Sequence, residues 1–221
     1  GKCLYYIKRY DEAWMLMNQA LDIAIQIDNK KQIVACHKQL YYLCREFKRM
    51  MNERGDEQAS TLFFRESLLH EMYFSEKPRL AELTVRYEAL RCDIMQQYYM
   101  NKDYDNVIRI ATSLDIHDDA DPNASCLVYY YKAQAYVKLE NYPMAKEAFF
   151  REFELRKKYL GWEEEDTILA CQNLGVLYSF CNEREEALAC FREAYGHEVK
   201  KNGEDSEMAQ KLLQYISVVE S

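Results

Sequence analysis

The sequence predicts an all-α chain, a solenoid of helix hairpins closed by a C-terminal capping helix, on three observations. Only six Gly and three Pro interrupt 221 residues that are 49% hydrophobic. That is too few breakers for the many turns of an all-β fold, and enough apolar mass for a core. Apolar residues recur at spacings of three and four, the period of a helix face. One local pattern, a polar break followed by a small residue that opens a second helix, occurs at Ala13, Ser60, Val107, Ala145 and Ala187. Its separations of 47, 47, 38 and 42 residues mark a repeat whose helices or linkers are longer than those of a minimal hairpin of about 34.

The first unit, 1–27, is partial. Aligned on Ala13, Gly1 falls midway through a first helix, so the chain reads as beginning inside a repeat, with more sequence expected before it. A helix over 11–27 follows, with Ala13, Leu16, Met17, Ala20, Leu21 and Ala24 as its apolar stripe. The second unit, 31–74, carries Ile33, Leu40, Leu43, Cys44, Phe47 and Met51 on its first helix. Gly55 supplies the positive φ that ends that helix, and Asp56 caps the next. The third unit, 78–114, opens at Pro78, which a first helical turn tolerates. It continues through Leu83, Tyr87, Leu90, Ile94 and Tyr98 to a short second helix at 104–114.

Residues 115–121 then break the array and offer its best place for a joint or hinge; Asp121-Pro122 is an N-cap followed by proline. In the fourth unit, 122–159, Tyr129, Ala133 and Tyr136 face Ala145, Phe149 and Phe153. Gly161 ends it, and Glu163–Asp166 place negative charge at the start of the next helix, where the dipole favours it. The fifth unit, 165–201, holds the most complete hairpin, Cys171–Tyr195. Gly175, Ala187 and Ala194 are small where two helices must approach closely, and Leu174, Tyr178 and Phe191 fill the gaps between them. Residues 204–219 form one more amphipathic helix, suited to cover the last hydrophobic face of a stack. The whole of 1–221 thus reads as one superhelical domain.

The sizes and spacing in Leu174-Gly175…Tyr178…Ala187…Phe191…Ala194 resemble a tetratricopeptide repeat. The run from Leu160 to Phe191, with QNLGVLY and EEALACF, further resembles the kinesin-light-chain type of repeat found in bacterial regulatory and scaffold proteins. The resemblance covers nearly the whole chain, closest over units four and five and loosest over unit three. It implies a right-handed superhelix whose first helices line a concave groove for peptides or partner helices.

A formal charge of −8 and a pI near 5.2 argue against nucleic acid as the ligand. No apolar run reaches the roughly 18 residues of a membrane span, and no signal peptide is recognisable, so a cytoplasmic location is expected. The eight cysteines form no CxxC pair and fall mostly at helical core spacing, as Cys36, Cys44, Cys171 and Cys190 do. They read as reduced packing residues, with no zinc site. The four histidines, His37, His70, His117 and His197, look scattered over different helices and loops. His117–Asp121 lacks the glycine and distal glutamate of a calcium loop. No nucleophile elbow or phosphate loop is present. No catalytic residue, metal or cofactor is expected.

Nineteen tyrosines include clusters that cannot all face one core, since neighbours on a helix lie about 100° apart. Aligning the units on their small residues turns Tyr5, Tyr99 and Tyr130 toward the groove and Tyr98, Tyr129 and Tyr136 into the core. The same alignment turns Arg45, Arg49, Gln96, Gln134, Lys138, Gln172 and Asn173 into the groove. Tyrosine offers large, rigid contact area with a polar tip. An amide can pair with an extended main chain as donor and acceptor; the family resemblance gives Asn173 that role. Arg45 and Arg49 suit a carboxylate, or else pair locally with Glu46 and Glu53. The Lys and Asn set of the family's carboxylate clamps is not reproduced, which disfavours chaperone-tail binding. The expected function is noncatalytic binding of a protein or peptide, as the interaction or sensing region of a larger protein. The alternatives are a peptide-responsive domain of a transcriptional or signalling regulator, and a self-assembly module that forms a homo-oligomer through its N-terminal edge.

Overall fold

The computed structural model describes residues 9–75, 87–112 and 121–221. The chain divides into two compact units, Gly1–Asp115 and Ile116–Ser221, and the division falls where the sequence offered its best joint. Among the described residues all regular structure is helical. The first unit holds α1 (Tyr10–Gln26), α2 (Lys30–Glu53), α3 (Glu57–Glu71), α4 (Tyr87–Met100) and α5 (Tyr104–Thr112). The second holds α6 (Pro122–Lys138), α7 (Tyr142–Tyr159), α8 (Glu165–Phe180), α9 (Arg184–Asn202) and α10 (Glu207–Glu220). Within each unit consecutive helices pack on one another, with α2 on α3, α6 on α7 and α8 on α9 the most extensive hairpins. Tyr5, Pro78 and residues 113–120 lie outside the described residues.

The five small residues that set the repeat are all buried: Ala13, Val107, Ala145 and Ala187 at 0% and Ser60 at 4% exposure. Four hairpin turns among the described residues have the same form. A residue in the left-handed region, Gly55 (φ 75°), Lys102 (60°), Glu140 (58°) or Asn182 (59°), ends the first helix. The next residue's N–H then reaches back to a carbonyl five positions earlier. These bonds, Asp56 to Met51, Asp103 to Tyr98, Asn141 to Tyr136 and Glu183 to Tyr178, are all 2.9 Å long and satisfy carbonyls that a helix end leaves open. Asp56, Asp103 and Asn141 also cap the second helix by accepting from the N–H groups of Ala59, Asn106 and Met144. Gly55 behaves as expected; the same turn built on Lys102, Glu140 and Asn182 carries no glycine to announce it.

Other elements differ in detail. Leu16 is exposed, and Trp14 takes its place in the core, edge-on to Phe47 at 5.6 Å and to Phe63 at 6.4 Å. Tyr98 and Tyr136 are buried as expected, but Tyr129 is only half-buried. The last helix begins three residues later than 204, because Ser206 caps it, accepting from the N–H of Ala209 at 3.1 Å. Fully buried Arg91 donates to the carbonyls of Ile110 and Ala111, which ties α4 to the C-terminal end of α5, where a cation complements the helix dipole.

Gly175 marks the tightest approach between α8 and α9. A Cβ there would stand 2.8 Å from Cε1 of Phe191 and 3.1 Å from Cβ of Cys190. Phe191 is 1% exposed and stacked on Tyr215 at 5.1 Å, so it has little room to retreat. Gly175→Ala should gain about 1 kcal/mol of helix propensity and lose about 2 kcal/mol to overpacking, a net loss of about 1 kcal/mol. Urea unfolding of the single variant and of Gly175→Ala with Phe191→Leu checks this. The smaller residue at 191 should recover the loss, and a Gly175→Ala protein as stable as the parent would remove the close-packing account.

Candidate functional site

The groove residues of the second unit come from the first helices of two consecutive hairpins. Gln134 on α6 and Asn173 on α8 line one cavity of about 210 Å³ with Val137, Tyr142, Val176 and Phe180. Phe180 is 73% exposed. Val176 and Phe180 also border a second depression of about 220 Å³, whose far wall is Tyr215 and Val218 on α10. Apolar surface thus runs from α6 to α10 with two side-chain amides at one end. Tyr130 is half-buried, hydrogen-bonded to Gln134 and edge-on to Tyr131 at 5.4 Å and Phe149 at 6.4 Å. Lys138 is exposed at the end of α6.

Gln172 requires a correction. It is 3% exposed and its Oε1 has no hydrogen-bond partner. One position along a helix rotates a side chain by about 100°, which takes Gln172 into the core while Asn173 stays in the cavity wall.

In the first unit Arg45 and Arg49 are exposed and border a depression of about 430 Å³ with Tyr42, Lys48, Asn52 and Phe64. Both arginines already have neighbours on their own helix. Arg45 donates to the Tyr41 hydroxyl at 3.3 Å, and Arg49 pairs with Glu46 at 3.1 Å and Glu53 at 2.5 Å. Gln96 is exposed, and Tyr99 is half-buried against Tyr104 at 5.5 Å.

Two of the four histidines, on different helices, are brought together. His37 on α2 and His70 on α3 meet in the core of the first hairpin, with Nδ1 to Nδ1 at 2.9 Å, and His37 stacks on Tyr73 at 3.7 Å. Two turns along α2 from His37 lies Cys44, and one turn along α3 from His70 lies Glu66. Cys44, Glu66 and His70, all buried, bring a sulfur, a carboxylate oxygen and a ring nitrogen within 4.8 Å of one another. The Tyr98 hydroxyl donates to Glu66 Oε2 at 2.6 Å. Arg109 approaches Glu66 Oε1 at 2.6 Å while lying over the Trp14 ring at 4.7 Å.

Burial opposes ionisation of Glu66, but Arg109, His70 and the Tyr98 hydroxyl together outweigh it and hold the carboxyl down at about 2. Burial, reinforced by His70 and Arg109, pushes His37 down to about 2. Burial also lowers His70, against the pull of Glu66, and raises the Cys44 thiol. The cluster is therefore a carboxylate–guanidinium pair with neutral imidazoles. Its signal in the sequence was one of phase: His37, Tyr41 and Cys44 share one face of a helix, and Glu66 and His70 one face of the next.

A second buried polar group stands in α7. Glu152 accepts from Arg156 Nε at 2.8 Å, and Arg156 also reaches Asp166 at 3.1 Å. Burial raises Glu152 to about 7 despite Arg156. The folded chain thus binds this proton more tightly than the unfolded chain does. The resulting stability is complete below the ordinary carboxylate range and is lost as pH rises through about 7. Thermal midpoints at pH 5 and pH 8 should fall between the two for the parent and fall less for Glu152→Gln. Equal pH dependence in both proteins would sink this account.

The fold is a helical repeat that is tetratricopeptide-like, a likeness of fold alone. In the solved structures the chain is similar to the crystal structure of BtubC (BKLC) from P. vanneervenii, a kinesin-light-chain-like protein. The two share 13% identity and a TM-score of 0.56, over 95% of this chain and 82% of that one. No family model and no curated protein matches the sequence. No helix among the described residues is long and apolar enough to cross a membrane.

Proposed function

We propose that the chain is a noncatalytic module that binds a protein or peptide along the first helices of its hairpins. A right-handed superhelical path of the repeats, expected from the family resemblance, is part of this reading. The observation that carries it is the shared cavity of Gln134 and Asn173, from consecutive hairpins, beside exposed Phe180. Two amides can hold an extended main chain whatever its side chains. The apolar strip past Val176 and Phe180 takes alternate side chains of the same peptide. The likeness to BtubC supports a repeat of the interaction type, and fold alone leaves the ligand open.

A random peptide library displayed on phage and selected on the full chain provides the test. Selected peptides should bind the parent with affinities that Asn173→Ala and Phe180→Asp each weaken by about tenfold or more. Far-UV circular dichroism should stay unchanged in both variants. Binders indifferent to both substitutions, or no binders at all, would overturn the groove reading. A concentration-dependent mass of the chain alone would favour self-assembly instead.

A further inference from the structure

We infer that Cys44, Glu66 and His70 form a zinc site inside the first hairpin. The donor set is one thiolate, one carboxylate and one imidazole, a mixture that suits zinc and not the all-oxygen preference of calcium or magnesium. The geometry points the same way. His70 Nε2 and Glu66 Oε1 are 3.5 Å apart, too far for a good hydrogen bond. That separation is close to the edge of a zinc tetrahedron, about 3.3 Å for Zn–N and Zn–O bonds of about 2.0–2.2 Å. Both atoms are fully buried; Oε1 faces Arg109 as an ion-pair partner at 2.6 Å, and neither Oε1 nor Nε2 makes a hydrogen bond of good geometry.

Outer partners for two of the ligands are already in place. With Nε2 of His70 on the metal, its Nδ1–H donates to Nδ1 of His37 at 2.9 Å. Glu66 keeps its second oxygen on the Tyr98 hydroxyl at 2.6 Å. Such contacts fix the tautomer and orientation of metal ligands.

Charge closes as well. Zinc and Arg109 carry three positive charges, and the Cys44 thiolate, Glu66 and Asp22, which lies within electrostatic reach of Arg109, carry three negative ones. On binding, the thiol proton of Cys44 leaves to solvent and a Zn–S bond forms, with no change of oxidation state. Three protein ligands leave the fourth tetrahedral position to a water. The metal joins α2 to α3, and the site is independent of the groove in the second unit.

The test uses the full chain, stripped with a chelator and titrated with Zn²⁺ or Co²⁺. Zinc should bind at about one equivalent and raise the thermal midpoint by about 5–10 °C at roughly a hundredfold excess over its dissociation constant; Mg²⁺ and Ca²⁺ should leave the midpoint unchanged. Cobalt should give a thiolate charge-transfer band in the near ultraviolet and the visible bands of a tetrahedral ion. Cys44→Ala and His70→Gln should abolish the thiolate and tetrahedral signals respectively, whereas Cys36→Ala, a buried cysteine outside the cluster, should keep both. The parent protein decides the matter even if the site variants fail to fold: no cobalt–thiolate band and no zinc-dependent midpoint shift would overturn the assignment, as would a band that survives Cys44→Ala.

Discussion

The structure depends on one close approach, repeated. At the start of each second helix a side chain no larger than valine is buried to 4% exposure or less, at Ala13, Ser60, Val107, Ala145 and Ala187. A larger residue there would hold two helices apart and open a void, and interiors packed at crystal-like density tolerate little of that. In the last hairpin Gly175 brings α8 still nearer to α9. Large apolar side chains outside these contacts lie at the surface, Tyr142 on α7, Phe180 on α8 and Val218 on α10 among them.

The recurring turn makes this approach reproducible. A left-handed residue followed by a 2.9 Å bond back to the end of the first helix sets where the second helix begins. Lys102 and Glu140 hold that conformation at some cost, since residues with a Cβ disfavour it. The hydrogen bond and the packing beyond it over-determine the geometry. Identical turns therefore arise from Gly-Asp, Lys-Asp, Glu-Asn and Asn-Glu.

This separates what the sequence made legible from what it hid. The hairpins, their order and the small residues that open each second helix could be read, because size and spacing at Ala145 or Ala187 act within one hairpin. Gln172 was misplaced because alignment across units of unequal length leaves a phase error of one residue, enough to exchange core for groove. The polar cluster was hidden for a different reason. His37 and His70 are 33 residues apart, and Arg109 lies 43 beyond Glu66, so only the packing of α2, α3 and α5 brings them together. In sequence, each polar residue on an apolar face looks like an isolated exception. In the fold, Glu66 is the common partner of Arg109, Tyr98 and His70, and a buried charge with three such neighbours is stable where an unpaired one would not be.

Buried charge also serves the stacking of one repeat on the next. Eleven residues after Ala145 and Ala187 in units four and five stand Arg156 and Glu198, 5% and 2% exposed. Each reaches the beginning of the following helix. Arg156 pairs with Asp166 in the first turn of α8, and Glu198 accepts from the hydroxyl of Ser206, the N-cap of α10. The two contacts have opposite polarity and the same geometry, a charged side chain near the end of one hairpin holding the residue that starts the next. An apolar residue would fill that place without directing the chain. The charge restricts the next helix to a start that presents an oxygen or a hydroxyl, and so carries the register of one repeat into its successor.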